Sequence, residues 1–254
     1  SGSDYHLVIN ADVYFNTGVI PAITKYMSEN EDVAMVQPNV LYPNGEQQYT
    51  VRMLPTPANL IFRRFLPDSW GEKMNYKYLL KFNDHNHEMN IPYHHGCFMF
   101  FRVKCFDTVG LFDERFFLYP EDIDITRRMH KHFRTMFWPG AVVTHKHCAA
   151  SYKSNKMLLI HMKNMIKYFN KWGWIFDEER KKWNAEILEK YLRYPITEVP
   201  DTTKRNENYA RHHEVDIEQQ LPRVGIEPEF LYKASRYRAN KYAEGMKKAM
   251  QNSD

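Results

Sequence analysis

Two oxygen-bearing side chains stand two positions apart after an apolar run. YHLVIN over residues 5–10 predicts a buried parallel strand, and Asn10 and Asp12 lie at its end in the motif NADV. Ligands of open α/β sheets bind beyond the carboxyl ends of strands, and side chains two apart point the same way. Because hard divalent cations prefer oxygen ligands, the pair could hold a metal-bound diphosphate. An ordinary polar turn explains the same residues.

A second acidic group opens a predicted helix in FFLYPEDIDITRRMHKH, residues 116–132. Pro120 suits the first helical position, which puts Glu121 and Asp122 in the first turn, where acids complement the helix dipole. That role needs no catalysis, yet one of the two acids could be a general base. The stretch alone leaves both interpretations open. Asp124, with arginines three and four positions on, is expected to brace the helix.

Histidines supply the remaining candidate residues. His145 and His147 stand two apart in VVTHKH, so both imidazoles could face one side of a strand and reach a cation. Hydrogen bonding or solvation is the commoner role of such a pair. His94 and His95 precede Gly96, and a residue without a side chain lets a ligand or another backbone come close.

The surrounding pattern predicts an α/β domain that positions these side chains. Strands at 5–10 and 32–42 around a helix at 17–30 give a βαβ rhythm. Residues 55–92 are predicted as a long irregular surface loop, a kind of segment that often carries function. The other predicted elements are a strand at 48–53, a strand and short helix over 96–110, one or two strands over 134–147, and helices from 154, over 177–192 and over 228–251.

Composition excludes several classes of protein. A length of 254 residues allows one α/β domain with an appendage or two small domains, and 43% hydrophobic residues favour a folded chain. The net charge of +4 is too mild to indicate a nucleic-acid partner. Three cysteines without paired spacing argue against a disulfide framework or zinc knuckle and favour a reducing compartment. No apolar run approaches the roughly 18 to 20 residues that span a bilayer.

Taken in order, the motifs resemble an inverting family 2 glycosyltransferase of the GT-A fold, in particular the rhamnosyltransferase-like branch. That branch carries NPDV after a strand, a later GGA stretch, then GFDERFFLYFEDVDLCLR and PDAVVVHH. The counterparts here are NADV, HGCFMFFR, GLFDERFFLYPEDIDITRR and PGAVVTHKH. The resemblance covers residues 5 to about 190 and predicts a partial GT-A, Rossmann-like mixed sheet with flanking helices, followed by a C-terminal helical region. No family likeness is found for residues 195–254.

On the donor side, the resemblance assigns a role to each candidate by position. Asp12, helped by Asn10, takes the place of the family's DXD-type motif, which holds a divalent metal, Mg or Mn, on the donor diphosphate. His145 stands near the metal and the diphosphate. Ala11 replaces the family's common proline, a change that should matter little.

On the acceptor side, Asp122 takes the place of the general base, and Glu121 beside it orients the acceptor. His95 and Gly96 belong to the small-residue stretch that lines the acceptor pocket. Because His95 replaces that stretch's first glycine, the pocket should be reshaped.

The resemblance implies sugar transfer, with rhamnose inferred from the branch alone. The donor would be a nucleotide-sugar such as dTDP-rhamnose, and the acceptor a saccharide or lipid-linked saccharide in cell-surface polysaccharide synthesis, on the cytoplasmic side. Family members begin with a strand like VSVVIVTYN and further βα units that bind the nucleoside, whereas this sequence starts at the strand before NADV. We therefore expect a truncated, weakly active chain; the alternative is a missing half supplied by a partner chain or by an atypical arrangement of residues 195–254.

Three segments follow from this organisation. Residues 4–150 are predicted as the C-terminal part of a GT-A domain, 151–193 as a helical segment on that core, and 194–254 as a polar linker or arm with a terminal helix. Residues 153–171 place lysines opposite an apolar stripe of Leu158, Met162, Met165, Phe169 and Trp172. Such a helix either packs on the core with a solvated outer face or lies on a membrane surface.

The alternative to an enzyme is a non-catalytic GT-A-like scaffold or assembly subunit. Convergence of Asp12, Asp122 and His145 on one open pocket would favour the enzyme. An ion pair of Asp122 with Arg127 or Arg128 would favour the scaffold.

Overall fold

The computed structural model describes residues 2–61, 74–116, 118–146 and 155–192. The strands are β1 Tyr5–Ile9, β2 Val13–Tyr14, β3 Val33–Leu41, β4 Val51–Arg52, β5 Met89–Asn90, β6 Tyr93–His94, β7 Phe98–Arg102 and β8 Arg134–His145. The helices are α1 Val19–Glu29, α2 Pro57–Leu60, α3 Phe106–Val109, α4 Glu121–His130, α5 Asn155–Trp172 and α6 Glu178–Tyr191.

A six-stranded mixed sheet carries the fold, in the order β1-β7-β3-β8-β2 with β5 beside β8. All nine residues of β3 are buried at its centre, antiparallel to β7 and parallel to β8. From α1, Ile23 and Met27 pack on Val36 and Val40 of β3. The predicted α/β class, a mixed sheet with flanking helices, is confirmed.

The prediction that residues 5–10 form a buried parallel strand is wrong in orientation and in burial. β1 runs antiparallel to β7, with Tyr5 opposite Arg102, and most of its residues are only partly buried. Within the described residues it lies at the edge of the sheet, so only one of its sides is paired.

The predicted helix after the FFLY run is α4, but it begins one residue later than expected. Pro120 is the residue before the helix, joined to Tyr119 by a cis peptide bond, and Glu121 is the first helical residue. Ile125 and Met129 bury the inner side of α4 against a cluster around β3 and β7. Packing against the sheet therefore places the acidic first turn of α4 beside the segment before β7.

The last two described helices close over the core. Met165 and Phe169 of α5 are buried and Met162 and Trp172 partly buried, so these four positions of the predicted apolar stripe are confirmed; the side chain of Leu158 lies outside the described part. In α6, Asn184 hydrogen-bonds both the backbone N–H and the carbonyl of Leu54.

Other elements differ from their predicted lengths. The strand expected at 48–53 is the two-residue β4, and residues 134–147 give the single strand β8, with His147 outside the described part. The loop expected over 55–92 contains α2 and β5 where it is described.

Candidate functional site

Three predicted donor-side residues meet where two strands end. Val13 of β2 pairs with His145 of β8, which brings the preceding Asp12 beside the imidazole. The Asp12 Oδ1 atom lies 3.3 Å from His145 Nε2, and Asn10 Nδ2 lies 3.5 Å from the same nitrogen. The fold thus assembles Asn10, Asp12 and His145 around one atom.

Gln48, which the sequence did not indicate, fixes the orientation of this histidine. Its Nε2 donates to the backbone carbonyl of His145 at 3.0 Å, and its Oε1 lies 2.6 Å from His145 Nδ1. Because that oxygen can only accept, Nδ1 carries the proton and Nε2 of the neutral ring keeps its lone pair. No local pattern marks Gln48, since the contact joins residues 97 positions apart.

The donor set around Nε2 fits a cation. The His145 Nε2 atom and the Asp12 Oδ1 atom lie 3.3 Å apart, an arrangement that a proton or a metal ion between or beside them would stabilise. The residues that the structure describes hold no group of three or more His, Cys, Asp and Glu side chains suited to a metal. Asp12 and His145 would therefore need oxygens of a bound ligand to complete the coordination of Mg or Mn.

The predicted base, Asp122, is held by two backbone amides. Gly96 N–H donates to its Oδ2 at 2.9 Å, and Ile123 N–H donates to its Oδ1 at 2.8 Å. A Cβ on Gly96 would lie 3.3 Å from the Asp122 Cβ, so the glycine permits this close approach. Burial raises the pKa of the Asp122 carboxyl, although the two amides and the Arg52 charge oppose the rise.

The neighbouring acid, Asp124, has the structural role predicted for it. Its fully buried carboxylate accepts from Arg128 Nε at 2.9 Å and Lys171 Nζ at 2.6 Å. Arg127, by contrast, does not serve Asp124 but binds Asp177 at 2.7 and 2.6 Å. Both arginines of α4 thus pair with other acids, Arg127 with Asp177 and Arg128 with Asp124. Neither forms an ion pair with Asp122.

The negative charges of Glu121 and Asp122 both act on the buried Tyr93 hydroxyl. The pKa of Tyr93 is raised well above its usual value, first by burial and then by the negative charge of Asp122, with a smaller contribution from Glu121. Arg52 Nη1 donates to the Tyr93 hydroxyl at 3.3 Å. Arg52, Tyr93 and the first turn of α4 are therefore close enough for their charges to interact.

A cavity of about 350 Å³ lies beside these groups. His95, predicted on the acceptor side, is among its lining residues, with its N–H bound to the Thr50 carbonyl at 2.8 Å and its ring 6.1 Å from that of His145. The residue after it, Gly96, binds Asp122. The lining also includes Tyr42, Gln48, Tyr49, Arg52 and Lys81, but not Asp12, Asp122 or His145. The three residues therefore do not converge on this pocket, which reaches the predicted base and the predicted donor-side histidine only through the neighbours Gly96 and Gln48.

A family model described as Glycosyltransferase like family 2 matches residues 3–165. The chain belongs to this family. Among its similar proteins is the N-acetylglucosaminyl-diphospho-decaprenol L-rhamnosyltransferase of Mycobacterium tuberculosis, 26% identical over 168 residues, which are 61% of this chain and 55% of that protein. The matched region contains every residue assembled above, from Asn10 to His145.

A different family matches the other end of this glycosyltransferase family member. Residues 177–254 match a model described as tRNA synthetases class I (K). The lysine–tRNA ligase of Treponema pallidum is 49% identical over 65 residues, which are 26% of this chain and 12% of that enzyme. The lysine–tRNA ligase of Pyrococcus horikoshii is 38% identical over 64 residues, which are 25% of this chain and 12% of that enzyme.

The expectation of no family likeness over 195–254 was therefore wrong. Within the synthetase match, the structure describes Asp177, α6 and Leu192. The chain spans about an eighth of the length of those ligases and about half of the rhamnosyltransferase. In the described part, Asp177 and α6 are bound to the glycosyltransferase region through Arg127 and Leu54.

Proposed function

We propose that the chain transfers a sugar, rhamnose in the branch it resembles, from a nucleotide-sugar donor to a saccharide or lipid-linked saccharide acceptor with inversion at the anomeric carbon. The observation that carries the proposal is the setting of Asp122. Its carboxylate is held by Gly96 and Ile123 amides beside a cavity, has a raised pKa, and is spared by the arginines of its own helix.

The proposed reaction is a single displacement. An acceptor hydroxyl in the cavity gives its proton to Asp122 while its oxygen bonds to the anomeric carbon from the side opposite the leaving group. The bond from that carbon to the diphosphate breaks, and the electron pair leaves with the nucleoside diphosphate. Because burial raises the pKa of Asp122, its carboxylate is a stronger base than an exposed aspartate.

On the acceptor side, we assign orientation of the saccharide to Glu121 and to the cavity wall. His95 lines the cavity with its ring 6.1 Å from that of His145, and the next residue, Gly96, binds Asp122, so we assign His95 to the boundary between the acceptor and donor sides. Tyr42 and Tyr49 belong to the cavity wall, and we assign them contacts with the saccharide.

On the donor side, we assign the diphosphate and a divalent metal, Mg or Mn, to Asp12 and His145, with Asn10 as a neighbouring amide donor. When bound, such a metal stabilises the negative charge that develops on the departing diphosphate. Gln48 contributes by keeping His145 Nε2 turned toward Asp12. These contacts support a donor role for the three residues that converge there.

The non-catalytic scaffold is the second candidate, and the ion pairs weigh against it. In a scaffold, Asp122 would be expected to form an ion pair with Arg127 or Arg128, whereas both arginines pair with other acids. We further propose action at the cytoplasmic face of the membrane in cell-surface polysaccharide synthesis, because the mycobacterial relative is named for a diphospho-decaprenol compound.

Release of nucleoside diphosphate tests the proposal. The chain is incubated with dTDP-rhamnose or other nucleotide-sugars, a diphospholipid-linked saccharide, and Mg or Mn. Because we expect the chain alone to be weakly active, the predicted result is slow, acceptor-dependent release that falls about 10²-fold or more in Asp12→Asn. Asp107→Asn, which changes an exposed aspartate of α3, is the matched control. Failure of every donor, or an Asp12→Asn rate equal to that of the control, would contradict the proposal.

A further inference from the structure

The outer face of α5 combines exposed apolar and basic side chains. Leu159 is 62% exposed and Ile166 is 42% exposed, although the inner face of the same helix is buried in the core. Lys163 and Lys167 stand between and beside them and are exposed as well. Residues three or four positions apart lie on the same side of a helix. This spacing places Leu159, Lys163, Ile166 and Lys167 on one side of α5.

The turn after α5 continues this surface with three consecutive apolar residues. Ile175 is 79% exposed, Phe176 is 89% exposed and Trp174 is 37% exposed. The Trp174 indole donates to Asn170 Oδ1 at 2.8 Å, which ties the turn to the exposed side of α5. We call Leu159, Lys163, Ile166, Lys167 and residues 174–176 the apolar–basic strip.

The charge of the strip has one sign. No acidic residue occurs in the sequence between Asp124 and Asp177, a stretch that contains all of α5 and the turn. Protein–protein interfaces are depleted in lysine, whereas helices that lie in a lipid interface combine lysine with Trp, Phe and Leu. The alternation of lysines with large apolar groups therefore fits an anionic lipid surface better than a protein partner.

The opposite side of α5 is attached to the segment that carries the base. Asn164 Nδ2 donates to the Leu118 carbonyl at 2.6 Å, and the His161 ring lies 4.8 Å from that of Tyr119. Tyr119 is three residues before Asp122. A surface that bound the strip would therefore be separated by α5 from the segment that leads into Asp122.

We propose that the apolar–basic strip docks the protein on an anionic lipid leaflet, with residues 174–176 inserted among the headgroups and Lys163 and Lys167 against the lipid phosphates. The described helices include none long and apolar enough to cross a bilayer. Docking by this strip would bring a lipid-linked acceptor to Asp122, a consequence that rests on the proposed function; the binding itself does not.

Sedimentation of the full chain with vesicles tests the docking. The vesicles are phosphatidylcholine alone or with 30% phosphatidylglycerol. Near an anionic leaflet each basic residue contributes about fivefold to partitioning, so Lys163→Glu with Lys167→Glu should lower it by at least about 25-fold. Ile175→Ser with Phe176→Ser should also lower it by more than about tenfold, since both side chains lose apolar burial. Matched controls are Lys25→Glu with Lys182→Glu, and Leu192→Ser, which change exposed residues outside the strip.

Each result bears on the docking alone. Strong binding to anionic vesicles that both strip variants lose and both controls keep supports the proposal, with circular dichroism showing that the variants remain folded. Four results would overturn the proposal. They are binding that no strip variant weakens, equal binding to phosphatidylcholine, absence of binding, and strip-dependent self-association in gel filtration without vesicle binding. Loss of vesicle binding with normal transfer to a water-soluble acceptor would leave the proposed function standing.

Discussion

Replacement of Gly96 by alanine should slow catalysis without unfolding the domain. The new methyl group would lie 3.3 Å from Asp122 Cβ and 3.5 Å from its Oδ2, inside or at the edge of ordinary contact distance. Gly96 has no positive φ, so alanine adds no backbone strain there. Because the tight contact is with Asp122 Cβ, whose position the backbone sets, the first turn of α4 should shift by a few tenths of an ångström and carry the carboxylate with it.

A displacement of about 1 Å at a reacting group can cost about 10²-fold, so a shift of a few tenths should lower kcat about three- to tenfold. The longer Gly96 N–H to Oδ2 bond should also raise the pKa of Asp122, since that bond favours the ionised form. The assay is kcat by nucleoside diphosphate release beside thermal unfolding, with Gly18→Ala, at an exposed glycine, as control. An unchanged kcat in folded Gly96→Ala would refute the position assigned to the base.

Two further predictions concern the charges around α4. Arg52→Gln removes a cation that lowers the pKa of Asp122, so that pKa should rise. The acidic limb of the kcat/KM profile, where the base becomes protonated, should therefore move to higher pH. Lys81→Gln, in the same cavity wall, should leave the limb in place. A limb that stays or moves downward would be inconsistent with Asp122 as base. Arg127→Met removes both short hydrogen bonds to the buried Asp177 carboxylate and leaves it the backbone N–H and the more distant guanidinium of Arg180. The free energy of unfolding should therefore fall by about 3 kcal/mol in chemical denaturation, whereas Lys182→Met should barely change it; equal losses in both would contradict the buried ion pair.

The stability from the Arg127–Asp177 pair should also depend on pH. Burial raises the pKa of Asp177, but hydrogen bonds from Arg127 and from the Arg180 backbone outweigh it and leave the pKa below its usual value. An acid with a depressed folded pKa contributes stability that is present above the unfolded pKa of about 3.9 and is lost as the pH falls through the folded value. The difference between wild type and Arg127→Met should accordingly shrink below that range.

The features that the sequence predicted are those with a local signal. The stripe through Met165 and Phe169 follows from helical spacing and is buried as expected. Asn10, Asp12 and His145 were placed at strand ends by apolar runs, but their convergence follows from the pairing of β2 with β8. The pattern along a single element sufficed for the stripe, not for the meeting of these three residues.

The features that were missed depend on contacts distant in sequence. An apolar run does not reveal the direction of its partner strand, so β1 was predicted as parallel and buried although it is antiparallel and at an edge. Arg127 was expected near Asp124 from helical spacing, yet its partner Asp177 is 50 residues away. Gln48 has no distinguishing neighbours along the chain, and only the fold shows that it orients His145.

The most direct test of the account is the transfer rate of Asp122→Asn with the lipid-linked acceptor and the active donor. An amide of the same shape cannot take the acceptor proton, so we predict a loss of about 10²- to 10⁴-fold in kcat, with donor binding by calorimetry and the far-ultraviolet circular dichroism unchanged. Asp107→Asn should keep the wild-type rate. Folded Asp122→Asn that transfers sugar within about threefold of wild type would contradict the assignment of Asp122 as the base.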